Sequence, residues 1–333
     1  MKDNNHSNLE PIEPSKAREL YLQHKRAECT PATVKGQKYR TSHFVRWCEQ
    51  NGINNMNDIT GRDLHEYRLW RREDGDLNQV SMSSQMSTIR VFIRWCATIE
   101  AVPENLASKV VVPTVSAEEE QRETMIESDH ANEILARLTK FDYASREHVV
   151  FALLWETGMR MGAAHGLDLK NVDLENGRLS LVHRPDTGTT LKNGKTGERL
   201  VAISAELQEL LKDYIDVIRN EVIDSHGRKP LLTGKKTRLS RTSIRRCIYE
   251  LTAPCFLDNE CPDCNKNVPD KCPEAVSPHD IRRSAITHYL TSDVPIDIVG
   301  ERMDVSRDIV DKHYDERSQE VKVEQRRDYL DNV

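Results

Sequence analysis

Ser277-Pro-His279-Asp-Ile-Arg282-Arg283-Ser284 is the stretch on which the reading of the fold and its chemistry turns. A histidine and an arginine three positions apart share one face of a helix. Alone, His279 after Ser-Pro could be a capping residue and nothing more. Three other segments of the same half of the chain change its meaning. Trp155-Glu-Thr-Gly-Met-Arg160-Met-Gly places an arginine just past a glycine-containing helix junction. Leu191-Lys-Asn-Gly-Lys195-Thr-Gly-Glu-Arg-Leu-Val sets a lysine at what Asn193-Gly194 predicts to be a hairpin tip. Val310-Asp-Lys-His313-Tyr314-Asp brings in a tyrosine late in the chain. Taken singly, Arg160 reads as a surface ion-pair partner, Lys195 as an ordinary turn residue and Tyr314 as a half-buried amphipathic side chain.

Together the four segments meet one chemical need. Breaking a DNA phosphodiester without a metal requires cationic donors around the nonbridging oxygens, where a phosphorane-like state concentrates negative charge. Two arginines supply forked guanidinium donors that lysine cannot imitate. A proton must reach the leaving 5′ oxygen, and a lysine near the cleavage point can deliver it as general acid. A histidine can donate to phosphate or accept the tyrosine proton. The nucleophile has to be a side chain whose phosphodiester stores the bond energy, so that resealing needs no ATP. Tyrosine suits that role.

The set resembles the tyrosine recombinases, or phage integrases, whose pattern is an Arg after Thr-Gly, a hairpin Lys, a His-x-x-Arg box and a Tyr near the C-terminus. Those positions are Arg160, Lys195, His279 with Arg282, and Tyr314, in the family's order. The resemblance runs from about Glu127 to Tyr329. Within it, Arg302-Met-Asp-Val-Ser306 and Asp311-Lys-His-Tyr-Asp315 look similar to archaeal, especially haloarchaeal, members. Three positions depart from the pattern. The acidic residue usual three places after the first arginine is Ala163, a histidine often found after Arg282 is Arg283, and the usual Leu-Gly-His turn is Val299-Gly300-Glu301-Arg302. Arg302 is taken as the substitute phosphate donor there. His313 is expected to face away from Tyr314, since helix neighbours diverge by about 100°.

Outward from this constellation, 333 residues call for two domains. Residues 15–111 are helical nearly throughout. Ala17, Leu20 and Tyr21 recur at helical spacing, Thr30-Pro31 starts a helix with Tyr39, Phe44 and Trp47, and Asn51-Gly52 closes it. Further helices follow Ile59-Thr60 and run from Ser81 to Ile99. A proline- and charge-rich linker occupies 112–126. The second domain, 127–333, opens with helices at Ala131–Leu138 and Ser145–Glu156. It turns to strands at Arg178–His183 and Arg199–Ile203 and returns to helix from Ala205 to Ile223 and beyond. The fold class expected is therefore mainly α with a small β-hairpin or sheet. By resemblance it is a helical, SAM-like core-binding bundle followed by an α+β recombinase catalytic domain.

Composition bounds the partners. Aromatic content of 5% argues against a base-stacking single-strand binder. A net charge of -6 does not advertise nucleic-acid binding in bulk, so local clusters decide it. The strongest is Gly234-Lys-Lys-Thr-Arg-Leu-Ser-Arg-Thr-Ser-Ile-Arg-Arg246, with Lys235, Lys236, Arg238, Arg241, Arg245 and Arg246 around Ser240 as a helix N-cap. A helix N-terminus with cations suits phosphate. Lys35, Lys38 and Arg40 are the corresponding candidates in the first bundle, beside Lys25, Arg26 and Arg46. No run of about 18 apolar residues exists and the polar start lacks a signal peptide, so an intracellular protein is expected, cytoplasmic and nucleoid-associated.

Eight cysteines in such a chain read as thiols or metal ligands. Cys255, Cys261, Cys264 and Cys272 crowd an insert at 255–272 too poor in apolar residues to fold alone, and a structural zinc held by four thiolates would organise it. Free thiols or a redox pair are the plainer alternative. Catalysis itself calls for no cofactor. The tail from Val321 to Leu330 reads as a charged helix that packs on its own domain, or, as the resemblance implies, on a neighbouring protomer. The resemblance further implies a recombinase working on double-stranded DNA as a homotetramer on paired sites, monomeric or weakly associated off DNA. A type IB topoisomerase and a catalytically inactive DNA-binding regulator on the same scaffold are the alternatives.

Overall fold

The computed structural model describes residues 9–116, 125–259 and 272–313, together with 323, 324 and 327. The central part of the expected linker, much of the cysteine-rich insert, Tyr314 and nearly all of the tail lie outside the described residues. The chain divides into two compact units, Met1–Arg122 and Glu123–Val333. Helix predominates in both, and no helix among the described residues is long and apolar enough to cross a membrane.

The first unit is built from α1 (Pro14–Glu28), α2 (Pro31–Gln50), α3 (Gly61–Asp74) and α4 (Gln79–Thr98). Three of the four helix starts carry a local side-chain cap. Thr30 Oγ1 accepts from Thr33 N with Pro31 following, Thr60 forms a reciprocal capping box with Asp63, and Asn78 accepts from Ser81 N. The core is aromatic: Tyr21, Phe44, Tyr67 and Phe92 are all fully buried and meet edge to face. Burial of the Tyr67 hydroxyl is made good by a 2.7 Å bond from Gln85.

The second unit is organised around α6 (Arg146–Thr157), which is buried on nearly every side and so reads as a core helix instead of an amphipathic one. Packed on it are α5 (Ser128–Phe141), α7 (Met161–Gly166), α8 (Ala205–Asp213), α9 (Arg241–Thr252) and α10 (Pro278–Thr291). Two short helices, α11 (Ile296–Met303) and α12 (Arg307–His313), follow α10.

Strands β1 (Val172–Asp173), β2 (Arg178–Leu181) and β3 (Arg199–Ala202) form an antiparallel sheet in that order, with Leu179 opposite Val201. The expected hairpin differs in two ways. β1 adds a third strand, and β2 and β3 are joined by the long segment 182–198 instead of a tight Asn-Gly turn. Asn193 has φ -97° and only Gly194 is left-handed, whereas a two-residue type I′ turn needs positive φ at both. The helix expected to run from Ala205 to Ile223 stops at Ile218. Its last turn, Tyr214–Ile218, widens so that Arg219 N bonds Tyr214 O at 2.7 Å, while the Arg219 side chain turns back to Pro230 O.

Candidate active site

The Thr-Gly-x-Arg segment has a steric reason. Gly158 ends α6 in the left-handed region, φ +55°, and a Cβ there would stand 2.4 Å from Met303 Sδ. Glycine alone fits both demands. The chain then reverses, and Arg160 becomes the N-cap residue of α7. Ser277-Pro-His-Asp is also a local device. Ser277 Oγ accepts from His279 N and Asp280 N, the Asp280 carboxylate accepts from Ser277 N at 2.9 Å, and Pro278 takes the first turn. That box fixes where α10 begins and therefore which face carries His279 and Arg282.

These two devices bring Arg160, His279 and Arg282 to one cavity of about 350 Å3. Met161, Gly162, Arg245, Tyr249, Ser277 and Pro278 complete its wall. Arg282 is 2% exposed and its guanidinium donates to three backbone carbonyls: Gly158 O at 2.7 Å, Met303 O at 2.6 Å and Asp304 O at 3.3 Å. It thus ties the α6 junction to the C-terminal end of α11, where a cation is favoured by the helix dipole. Arg160 is about one-third exposed, bonds Asp304 Oδ2 at 2.5 Å through Nη1, and has no other partner among the described residues. Its remaining donors are of a kind that can bond an anion. The His279 imidazole is held below its ordinary value of 6.5, first by desolvation and then by Arg282, Arg283 and Arg160, against an opposing pull from Asp280. It is therefore neutral near pH 7 and able to accept a proton.

Lys195 is exposed in the short turn Gly194–Gly197, and its side chain has no ion pair or hydrogen bond among the described residues; the side chain of Lys192, just before the turn, is likewise exposed and unpaired there. Neither lines the cavity. Arg302 is not brought to it either. Its guanidinium donates to Ala202 O at 2.8 Å and Glu156 O at 3.2 Å and lies over the Tyr289 ring, which makes it a brace between α11, β3 and α6. The acidic side chain that does reach the site is Asp304, two residues on. Its Oδ2 meets Arg160, its Oδ1 accepts from Asn193 Nδ2 at 2.8 Å, and Arg199 Nη1 stands 4.0 Å away. Sequence reading missed it, because charge complementarity to phosphate drew attention to the arginine. The available signal was position: residue 304 lies two after Arg302, in the segment where a further donor was sought. Ala163 is buried in α7.

The basic run around Ser240 splits. Ser240 caps α9 as expected. Lys235 and Lys236 are exposed, Arg245 is exposed at the cavity wall, and Arg241 is half-buried beside Gly162. Arg246 pairs with Glu250 at 2.7 Å. Arg238 departs from the expectation of a surface cation. Its side chain is 8% exposed and bonds Asp168 at 2.5 Å and Asp224 at 2.7 Å, with Arg184 and Arg228 nearby. In the first unit, Lys35 and Lys38 are exposed on α2, Arg40 is half-buried against Thr88, and Arg46 is paired with Asp74. Cys255 and Cys272 pack in one small cluster with Ala253 and Ala275, while Cys261 and Cys264 lie outside the described residues. Among the described residues, no group of three or more His, Cys, Asp or Glu is placed to hold a metal.

The phage integrase family matches residues 124–320. The tyrosine recombinase XerC of Escherichia coli O157:H7 is 21% identical over 276 residues, 82% of each chain. The Tn1549 transposon integrase, solved in complex with a circular intermediate DNA, superposes with a TM-score of 0.68 at 14% identity, covering 95% of this chain and 99% of that one. A lambda integrase dimer bound to a COC' core site gives 0.66 at 12% identity, over 93% and 79%. At such identities the two structures establish the fold. The sequence match spans residues 124–320 of 333, more than half of the chain, and the protein belongs to the phage integrase family, the tyrosine recombinases.

Proposed function

We propose that the protein is a site-specific DNA recombinase that cuts and rejoins duplex DNA through a 3′-phosphotyrosine at Tyr314. The observation that carries this reading is the convergence of Arg160 with His279 and Arg282, from two segments far apart in sequence, on one small cavity. The free donors of Arg160 and the dipole-facing charge of Arg282 would stabilise the negative charge that develops on the nonbridging oxygens. Neutral His279 would take or share the tyrosine proton. Lys195, unengaged on its exposed turn, would protonate the 5′ oxygen as it leaves. The new bond joins Tyr314 Oη to phosphorus, the bond to the 5′ oxygen breaks, and the 5′ hydroxyl of a partner duplex later reverses the exchange. No cofactor enters this chemistry.

Double-stranded DNA as the partner is supported by the DNA held in the Tn1549 and lambda integrase structures of the same fold. We assign residues 15–111 as the core-binding domain and 127–333 as the catalytic domain, which together would grip the duplex. Lys35, Lys38 and Arg40 would serve from the first domain, and Lys235, Lys236, Arg241, Arg245 and Arg246 from the second. A homotetramer on paired sites is the assembly that strand exchange between two duplexes requires, formed from monomers or weak oligomers once DNA is bound. The Arg302-Met-Asp-Val-Ser306 run favours kinship with archaeal members, and a DNA substrate would put the protein in the cytoplasm with the nucleoid.

Covalent trapping tests the proposal. Nicked duplexes drawn from DNA flanking the gene are mixed with wild type or Tyr314→Phe and quenched in denaturant. A protease-sensitive adduct in wild type alone is expected. Binding without an adduct in either protein would move the assignment to a DNA-binding regulator. Relaxation of a supercoiled plasmid without strand exchange would move it to a topoisomerase.

A further inference from the structure

We propose that Asp304 is a positioning residue of the strand-transfer site. Its carboxylate orients Arg160 toward the scissile phosphate and fastens the lysine-bearing loop to the same point, supplying from α11 the carboxylate that position 163 lacks. This rests on the functional reading above.

Three observations carry it. The first is connectivity. One residue touches both site arginines, the side chain through Arg160 Nη1 at 2.5 Å and the main chain through Arg282 Nη2 at 3.3 Å. Its second carboxylate oxygen holds Asn193, which sits between Lys192 and Lys195. The Arg160 junction, the 182–198 loop and the end of α11 therefore meet on a single side chain. The second is backbone cost. Asp304 closes α11 in the left-handed region, φ 55° and ψ 59°. Glycine adopts that conformation most cheaply at a helix C-terminus. An aspartate there, with its carboxylate turned inward and only 15% exposed, is explained by what the carboxylate binds. The third is the state of Arg160. A long guanidinium at a cavity rim samples many rotamers unless it is held. Asp304 grips one nitrogen and leaves the others open to the cavity, which orients the group without using up its donors.

A carboxylate beside a catalytic arginine could instead compete with the phosphate and act as a brake. The two roles have opposite consequences when the charge is removed. Asp304→Asn keeps a residue tolerant of the left-handed region and an oxygen to accept from Asn193, so it isolates the charge. Asp304→Gly relaxes the backbone and removes the side chain, and guards against a folding artefact in the first variant.

Two measurements on the full-length chain decide the matter. In the DNA-free protein, nitrogen NMR of the arginine side chains, with Arg160→Lys to assign the signal, should show hindered Arg160 guanidinium rotation in wild type. Both variants should show it freed. On the nicked duplex, Asp304→Asn should lower the single-turnover rate of adduct formation by about ten- to hundredfold, with duplex affinity changed by less than about threefold. In an Arg160→Ala background the same substitution should change the rate by less than about threefold, because the residue it works through is gone. Equal Arg160 mobility in wild type and variant, an undiminished or faster rate in Asp304→Asn, or full additivity with Arg160→Ala would each overturn the assignment. Absence of an adduct in wild type would sink the recombinase reading instead, and the NMR measurement would still establish whether Asp304 holds Arg160.

Discussion

Gly158→Ala is the substitution for which the structure specifies a cost most directly. Residue 158 has φ +55°, where an L side chain costs roughly 1–2 kcal/mol. The added methyl carbon would also lie 2.4 Å from Sδ, 2.8 Å from Cε and 3.0 Å from Cγ of Met303, which is fully buried. Methionine is flexible, yet repacking a buried one around an extra methyl adds roughly 1–3 kcal/mol. The sum, roughly 2–5 kcal/mol, is a large part of a domain's stability. Urea unfolding followed by fluorine NMR of fluorotryptophan-labelled protein gives the readout. Trp155 reports the second unit separately from Trp47, Trp70 and Trp95 of the first. In a Met303→Ala background the overlap vanishes, so Gly158→Ala should then cost only the backbone part, roughly 1–2 kcal/mol. Stability within about 0.5 kcal/mol of the parent, or a cost unchanged by Met303→Ala, would refute the steric argument. Adduct formation should fall as well, because Gly158 O accepts from Arg282.

The split of the basic run makes a second contrast. Arg238→Ala takes the nearest of three arginines from Asp168, which is 1% exposed and keeps Arg184 and Arg228 at 3.4 and 3.6 Å, and should destabilise by roughly 1–3 kcal/mol. Lys235→Ala with Lys236→Ala should leave the urea midpoint in place and flatten the salt dependence of duplex binding, by about one unit of slope for each phosphate no longer neutralised; the reverse pattern would mean that the buried and exposed assignments are exchanged. For the general acid, Lys195→Ala should slow cleavage of an ordinary duplex and be rescued by a 5′-bridging sulfur, whose thiolate leaves without a proton. Rescue confined to Lys192→Ala would transfer the role to that neighbour. On pH, burial holds His148, His165 and His288 below their ordinary 6.5. The unfolded chain therefore takes up these protons first, and the stability present above about pH 6.5 is lost as pH falls toward the folded-state values. A urea midpoint for the second unit that held or rose between pH 7.5 and pH 5.5 would contradict this.

What the sequence determined by itself is what short-range rules can carry. Thr30-Pro31 and Ser277-Pro-His-Asp start helices because capping and proline geometry are settled within four residues, and those starts decide that His279 and Arg282 share a face. The order of the four motif segments was enough to point to the family. The expected mainly helical class with a small sheet followed from the same periodicities.

Tertiary structure decided whatever depends on neighbours far along the chain. Lys235, Lys236 and Arg238 look alike in one basic run, yet only Arg238 meets Asp168 and Asp224, brought in from 70 and 14 positions away. Arg302 and Asp304 stand two residues apart at the end of α11. Which of them reaches Arg160 depends on how α11 crosses β3 and the 182–198 loop, and the left-handed turn at residue 304 swings the aspartate inward while Arg302 is taken up by carbonyls of Ala202 and Glu156. Local sequence encodes where a helix begins. Which of its charges is buried, paired or left open is set by the packing of distant segments, because a charge in a low-dielectric interior persists only where a partner from elsewhere arrives to meet it.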